Sequence, residues 1–157
     1  MKILLDTNLL TRLANPAQQE MHKLAEAVVE TIFISGHTPC LLPQSIYEFW
    51  VVATRPQDDN GLGMSPHEAR EEIDSMMSLL PLLQDERAIF FRWLDLVTSH
   101  EVSGKPAHDA RLVAAMLRHG LSCLVTFHGA DFVRYSEVTS IHPSEVIAGT
   151  APFLVAK

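Results

Sequence analysis

The chain opens with "MKILLDTNLL", Met1–Leu10, and the reading of this stretch decides the fold. Ile3, Leu4 and Leu5 make the short, continuous apolar run of a strand buried on both faces. Read as a strand over Ile3–Asp6, the run stops at a carboxylate, with the polar pair Thr7-Asn8 behind it. Apolar residues resume at Leu9 and Leu10. No base stands beside Asp6; the nearest cations are Lys2 and, six residues on, Arg12. A carboxylate ending a buried strand is either a cap for the next helix or one part of a site assembled from distant segments.

The bulk numbers narrow the setting. The 157 residues suit one domain, 1–157, long enough to bury a core without disulfides or structural metal. With 47% hydrophobic and 20% charged residues the balance is that of a soluble globular protein. No apolar run nears the ~20 residues of a bilayer span, and the N-terminus lacks signal-peptide features, so a cytoplasmic protein with no membrane partner is expected. Cys40 and Cys123 form no C-x-x-C pair and read as small buried hydrophobes. The histidines show no metal-binding spacing such as H-E-x-x-H. A formal charge of −7 argues against a non-specific nucleic-acid coat, which binds by neutralising phosphates. It leaves room for an enzyme that meets RNA or DNA through a local patch and a divalent cation, which would itself cancel carboxylates.

Outward from the first strand, helices and strands alternate. Leu9–Ala14 reads as a short helix ending before Pro16. Ala17–Ile34 has helical apolar spacing, closed by Gly36. "PCLLP", Pro39–Pro43, reads as a second buried strand, after which Ser45 caps the apolar helix "IYEFWVVAT". Arg55–Gly63 is a loop by composition. Ser65, Pro66 and Glu68 form a helix start, with the helix running to about Leu80. Leu82–Gln84 suggests a further strand. Asp85 caps a helix to about Ser99, with Phe90, Phe91, Trp93, Leu94 and Val97 as its apolar side. Ala107–Arg118 is a helix closed at His119-Gly120. Leu121–Thr126 and Val138–Ile141 read as strands on either side of a loop or short helix, Phe127–Tyr135. Such alternation implies an α/β fold, a three-layer α/β/α sandwich around a mainly parallel sheet.

Ligands of open parallel sheets bind beyond the carboxyl ends of the strands, and acids gather there. Asp6 ends the first strand. Asp131 follows Thr126, which ends a later one. Asp109 lies in the first turns of its helix, where the positive helix end favours a carboxylate. Glu48 lies on a helix apolar nearly all round, so it is expected to be largely buried and in need of a partner; a metal ion is one. Each acid also has a plain structural reading: Asp6 as an N-cap, Asp109 as a dipole partner, Asp131 as a turn residue, Glu48 as paired with a distant Arg. Together they make an oxygen-rich set suited to Mg²⁺ or Mn²⁺. Phosphodiester hydrolysis is the chemistry such a set serves best.

"ILLDTNLL" with Asp6, "SIYEFWVVATRP" with Glu48, "HDARLVAAMLRHG" with Asp109 and "LVTFHGADF" with Asp131 resemble the PIN-domain ribonucleases, above all the VapC-type toxins of bacterial toxin–antitoxin pairs. The resemblance runs in order along nearly the whole chain. It implies a PIN-like α/β/α sandwich, Mg²⁺- or Mn²⁺-dependent endoribonuclease activity, homodimers, and a small antitoxin that inserts into the acidic site. By position, Asp6, Glu48 and Asp109 match the three most typical acids of the family and Asp131 the more variable fourth. Thr7, Asn8 and Thr126 match its supporting polar residues. In that scheme Asp6 and Asp109 hold the first metal, Glu48 holds it or orients its water, and Asp131 helps with a second metal or the water. Two residues after Thr126, where the family often has Asn or Asp, this chain has His128, read as a surface histidine. Arg12, Lys105 and Arg111 flank the expected site as RNA-phosphate contacts, with ordinary solvated charge as the alternative.

Two other readings stand beside this one. An aspartate-nucleophile phosphatase would use Asp6, but the second Asp expected two residues on is here Asn8. A non-catalytic PIN-like binding module would keep the fold alone; the retention of all four acids speaks against it. The apolar helix surfaces at Ile46–Val52 and Ile73–Leu80 are either core or interface.

Overall fold

The computed structural model describes residues 1–155. The opening apolar run forms β1 (Lys2–Leu5), and the chain then passes through α1 (Thr7–Leu13) and α2 (Gln19–Ile34) to β2 (Thr38–Cys40). A long excursion follows through α3 (Pro43–Thr54), α4 (Pro66–Leu79), α5 (Arg87–Ser99) and α6 (Ala107–Arg118) before β3 (Cys123–Val125). A 3-10 turn (Gly129–Phe132) leads to β4 (Thr139–Ile141), and α7 (Pro143–Ile147) and α8 (Pro152–Val155) complete the described chain. The sheet order is β2-β1-β3-β4, with every pair parallel. Leu4 is opposite both Cys40 and Leu124, and Val125 is opposite Leu5 and Ile141.

The period of two along the strands decides the layers. Ile3, Leu5, Val125 and Ile141 point to one side, where α1, α2, α3, α4 and α7 bury Leu10, Val28, Phe49, Ile73 and Val146. Leu4, Cys40 and Leu124 point to the other, against Ile89 and Leu96 of α5 and Val113 and Met116 of α6. Two separate cores on opposite faces make this a three-layer α/β/α sandwich, the PIN-like architecture expected from the sequence. Each fully buried Leu or Ile contributes about 1.5–3 kcal/mol.

Local signals hold at several ends. Ser65 closes a capping box on α4, its side chain accepting from Glu68 N while Glu68 reaches back to Ser65 N. Gly120 takes φ +68° after α6, a conformation that only glycine adopts without strain. Other boundaries differ. α3 begins at Pro43, not after Ser45, because proline at the first helical position needs no N–H partner; Ser45 lies inside the helix. Asp85 does not cap α5, which starts at Arg87 after an uncapped Glu86; Asp85 pairs instead with Arg111. Leu82–Gln84 gives only one parallel bridge, Leu82 to Leu41. The core side of α5 is Ile89 and Leu96, with Trp93 and Val97 half-buried, whereas Phe90, Phe91 and Leu94 are exposed. Among the described residues, no helix is long and apolar enough to cross a membrane.

Candidate active site

Sheet order places the site. The chain leaves β1 toward β2 on one side, while β3 pairs on the other, so the connections part at the carboxyl ends of β1 and β3 and open a crevice. Asp6 and Thr126 stand there, the residues just after the two strands. Their backbones continue the ladder: Asp6 N donates to Val125 O at 3.1 Å and Thr126 N to Ile141 O at 3.0 Å.

Asp6 is both a cap and a member of an assembled site. Its Oδ1 accepts from Thr7 N at 2.8 Å, capping α1. Its Oδ2 accepts from Thr126 Oγ1 at 2.6 Å and from Asn8 Nδ2 at 2.8 Å. Thr126 Oγ1 also accepts from His128 N, and Asn8 Oδ1 accepts from Phe127 N, so the two strand ends are laced together. Asp6 is 9% exposed. Burial pushes its carboxyl above the usual range, hydrogen bonds from Thr126 and Thr7 pull it back, nearby Glu48 raises it and His128 lowers it.

Glu48 is not buried, contrary to the expectation from its apolar neighbours. α3 turns Phe49 and Ala53 inward and leaves Tyr47, Glu48, Trp50 and Val51 exposed. The carboxylate is held by neutral donors: Oε2 by Thr7 Oγ1 at 3.1 Å and Oε1 by Gln44 Nε2 at 2.9 Å. The burial argument for a metal at Glu48 therefore falls; only its position in the cleft remains.

Asp109 lies in the first turn of α6. Burial first, then the charges of Asp131, Glu48 and Asp6, push its carboxyl up to about 6, with His108 opposing. Asp131, Glu48 and Asp6 thus all lie within electrostatic reach of Asp109. Asp131 comes from the exposed 3-10 turn. The four acids line one cleft of about 310 Å³, with Thr7, Asn8, Arg12 and His128 around them. Like charges repel there, and Asp6 and Glu48 are turned toward neutral donors. Among the described residues, no group of three or more His, Cys, Asp or Glu is placed to hold a metal ion.

The three basic residues expected beside the acids part company. Arg12 lines the cleft; its guanidinium carbon lies 4.1 Å from the centre of the Phe127 ring and its Nη1 donates to Asn8 O at 2.8 Å. Its Nε is buried without a partner. Arg111 does not reach the acids: it donates to Asp85 Oδ2 at 2.9 Å and Gln44 Oε1 at 3.2 Å and lines a neighbouring cavity. Lys105 is exposed in the turn before α6 and is not among the cleft-lining residues. His128 is exposed, as expected, but faces the cleft. Gln44 is the residue that sequence reasoning missed. Buried on α3, it donates to Glu48 Oε1 and to His108 O at 2.8 Å while accepting from Arg111. Its signal was the four-residue spacing to Glu48 on one helix face.

No protein-family model matches the chain, and no curated protein matches it in sequence. Solved structures do match in three dimensions. The VapBC2 structure from Rickettsia felis, bound to a promoter DNA fragment, superposes with TM-score 0.65 at 15% identity, over 90% of this chain and 98% of that one. VapBC-1 from nontypeable Haemophilus influenzae gives 0.64 at 14%, over 92% and 99%. FitAcB from Neisseria gonorrhoeae gives 0.62 at 14%, over 92% and 99%. At these identities the likeness establishes a shared fold.

Proposed function

We propose that this chain, built on the PIN-like fold, is a divalent-metal-dependent endoribonuclease and the toxin of a toxin–antitoxin pair. The observation that carries the reading is the meeting of Asp6, Glu48, Asp109 and Asp131, from four separate segments, in one cleft at the switch point of the sheet. All the donors are oxygens, which suits Mg²⁺ or Mn²⁺. The carboxyl of Asp109, held up to about 6 by burial and then by its acidic neighbours, marks negative charge that a cation would offset. Asp6 and Asp109 would hold the ion, with Glu48, held in place by Thr7 and Gln44, and exposed Asp131 completing its shell. Bound there, such an ion supplies an activated water and offsets the charge developing on the attacked phosphate.

The chain's own residues do the remaining work. Thr7, Asn8 and Thr126 fix the oxygens of Asp6, and Gln44 and Thr7 fix those of Glu48. Arg12, braced by Asn8 O and the Phe127 ring, offers a guanidinium to the RNA phosphate. The phosphatase reading lacks its second aspartate: two residues after Asp6 stands Asn8, whose amide donates to Asp6.

The solved structures of similar fold are toxin–antitoxin complexes, which supports an antitoxin partner here. A groove of about 720 Å³ between α2 and α4, lined by apolar Val29, Phe33, Met76 and Leu79 and acidic Glu26, Glu30 and Glu72, suits a partner helix with one apolar face and basic edges. Exposed Tyr47, Trp50 and Val51 on α3 offer a further apolar surface for a homodimer. RNA cleavage would take place in the cytoplasm.

The test is a calorimetric Mn²⁺ titration of wild type and Asp6→Asn, followed by cleavage of single-stranded RNA with and without chelator. Wild type should bind Mn²⁺ and cleave, chelator should stop cleavage, and Asp6→Asn should do neither while keeping its circular dichroism. Cleavage that survives Asp6→Asn or chelation would overturn the mechanism; absence of binding at millimolar Mn²⁺ would favour a non-catalytic module.

A further inference from the structure

Next to the acidic cleft lies a second cavity, of about 420 Å³, between α5 and the start of α6. This size lies within the range of small-ligand sites. Its interior is apolar and aromatic, from Ile89, Phe90 and Trp93 on α5 and Ala107 on α6. Its rim carries Arg87, His108, Arg111 and Glu86, of which Glu86 is paired with Arg118 and Arg111 with Asp85. Arg87 is exposed, and no salt bridge engages it among the described residues. In a chain of net charge −7, this is a local cationic edge around an aromatic floor.

The floor is pre-set. Trp93 Nε1 donates to Ala107 O at 2.8 Å, which ties the indole across α5 and α6. The Phe90 ring lies 5.9 Å away, tilted 42° to it, and Phe90 is 57% exposed. The cavity is also joined to the acids. His108 on its rim precedes Asp109 in the cleft. The Gln44 side chain donates to Glu48 and to His108 O, and accepts from Arg111, so one buried amide links an acid of the cleft to two residues of the cavity rim.

Aromatic faces flanked by arginines are how proteins hold single-stranded nucleic acid: bases stack on the rings and the cations answer the phosphates. We infer that this cavity is a nucleotide subsite for single-stranded RNA, taking a base against Phe90 and Trp93 and its phosphate at Arg87. Its place beside Asp109 makes it the subsite for a nucleotide near the scissile bond, and therefore a determinant of where the strand is cut. The inference rests on the nuclease reading for that last role, but not for binding itself.

The chain has two tryptophans, Trp50 and Trp93, so Trp50→Phe leaves Trp93 as the only indole reporter. The full chain carrying that change is titrated, in chelator, with a short 2′-O-methyl oligoribonucleotide of mixed sequence. The 2′-O-methyl groups block cleavage. Trp93 emission should quench saturably. Phe90→Ala should weaken the apparent affinity by about 5- to 150-fold, the range for one lost base–aromatic stack. Arg87→Gln should reduce the salt slope of log K by about 0.7, the release expected for one phosphate contact on a single strand. Both altered residues are exposed, so either variant keeps the test alive if the other misfolds. No quenching, or quenching with affinity and salt slope unchanged in both variants, overturns the subsite. So does a Phe90→Ala change that only splits a dimer in sedimentation without altering oligonucleotide binding, since the occupant is then a second copy. RNA cleavage in Mn²⁺ is scored separately. Quenching without cleavage keeps the subsite and removes the nuclease; cleavage without quenching does the reverse.

Discussion

Replacing Asp109 with asparagine should make the metal-free protein more stable above pH 6, even though it removes a candidate metal ligand. In the folded chain, burial and the charges of Asp131, Glu48 and Asp6 raise this carboxyl from an ordinary 3.8 to about 6. The folded state therefore binds this proton more tightly than the unfolded chain does. Between pH 3.8 and about 6 it carries the larger share of the proton, so stability falls as pH rises through that window. Above it both states are ionised and the full penalty remains. At roughly 1.4 kcal/mol per pKa unit the shift corresponds to about 3 kcal/mol. Solvent screening of this partly exposed group reduces the figure to about 1–2 kcal/mol.

Asparagine keeps the shape and drops the charge. At pH 8, in chelator, the variant should melt about 2–8 °C above wild type, at roughly 2–4 °C per kcal/mol for a chain of this size. By pH 4.5 the difference should shrink to about a third, because the folded wild type is then largely protonated at this site. Thermal unfolding followed by circular dichroism at the two pH values measures both. Mn²⁺ should reverse the order at pH 8: at a hundred times its Kd it adds about 2.7 kcal/mol to wild type and nothing to the variant. A variant that melts below wild type at pH 8 in chelator, or a gap that does not change with pH, would refute the picture of a mutually repelling acid cluster.

Other substitutions separate the parts of the site from the frame. Gln44→Ala removes the donor to Glu48 Oε1 and His108 O and strands Arg111 Nη1; unfolding by urea should show a loss of about 1–3 kcal/mol, and RNA cleavage should fall through kcat more than KM. Arg12→Gln should raise KM for RNA and leave Mn²⁺ binding by calorimetry unchanged, since the guanidinium bonds Asn8 O rather than an acid. Ser65→Ala opens the capping box of α4, a helix that contributes no residue to the cleft lining; stability should drop by about 0.5–2 kcal/mol with Mn²⁺ binding and cleavage intact.

The sequence by itself determined what short-range pattern can encode. Ile3–Leu5 read as a buried strand because burial on both faces needs an unbroken apolar run, and β1 lies in the middle of the sheet. The capping box at Ser65 and the glycine after α6 were legible for the same reason: each is a contact within one turn. Asp6 and Asp109 stood out because a strand end and a helix start are local features. Glu48 was misjudged because an all-apolar neighbourhood does not say which face of a helix is covered. Apolar residues also occur on surfaces, and α3 leaves Tyr47, Trp50 and Val51 outside. Which face of α5 met the core, Arg111's turn toward Asp85, and Gln44's bonds to His108 and Arg111 were decided only by packing of elements distant in the chain. The bond from Thr126 to Asp6 spans 120 positions. Side-chain periodicity specifies what each segment hides, but the sheet order decides which segments meet. The acids gather because β1 pairs with β3 on one side and β2 on the other, a choice made by the whole chain burying both faces of one sheet.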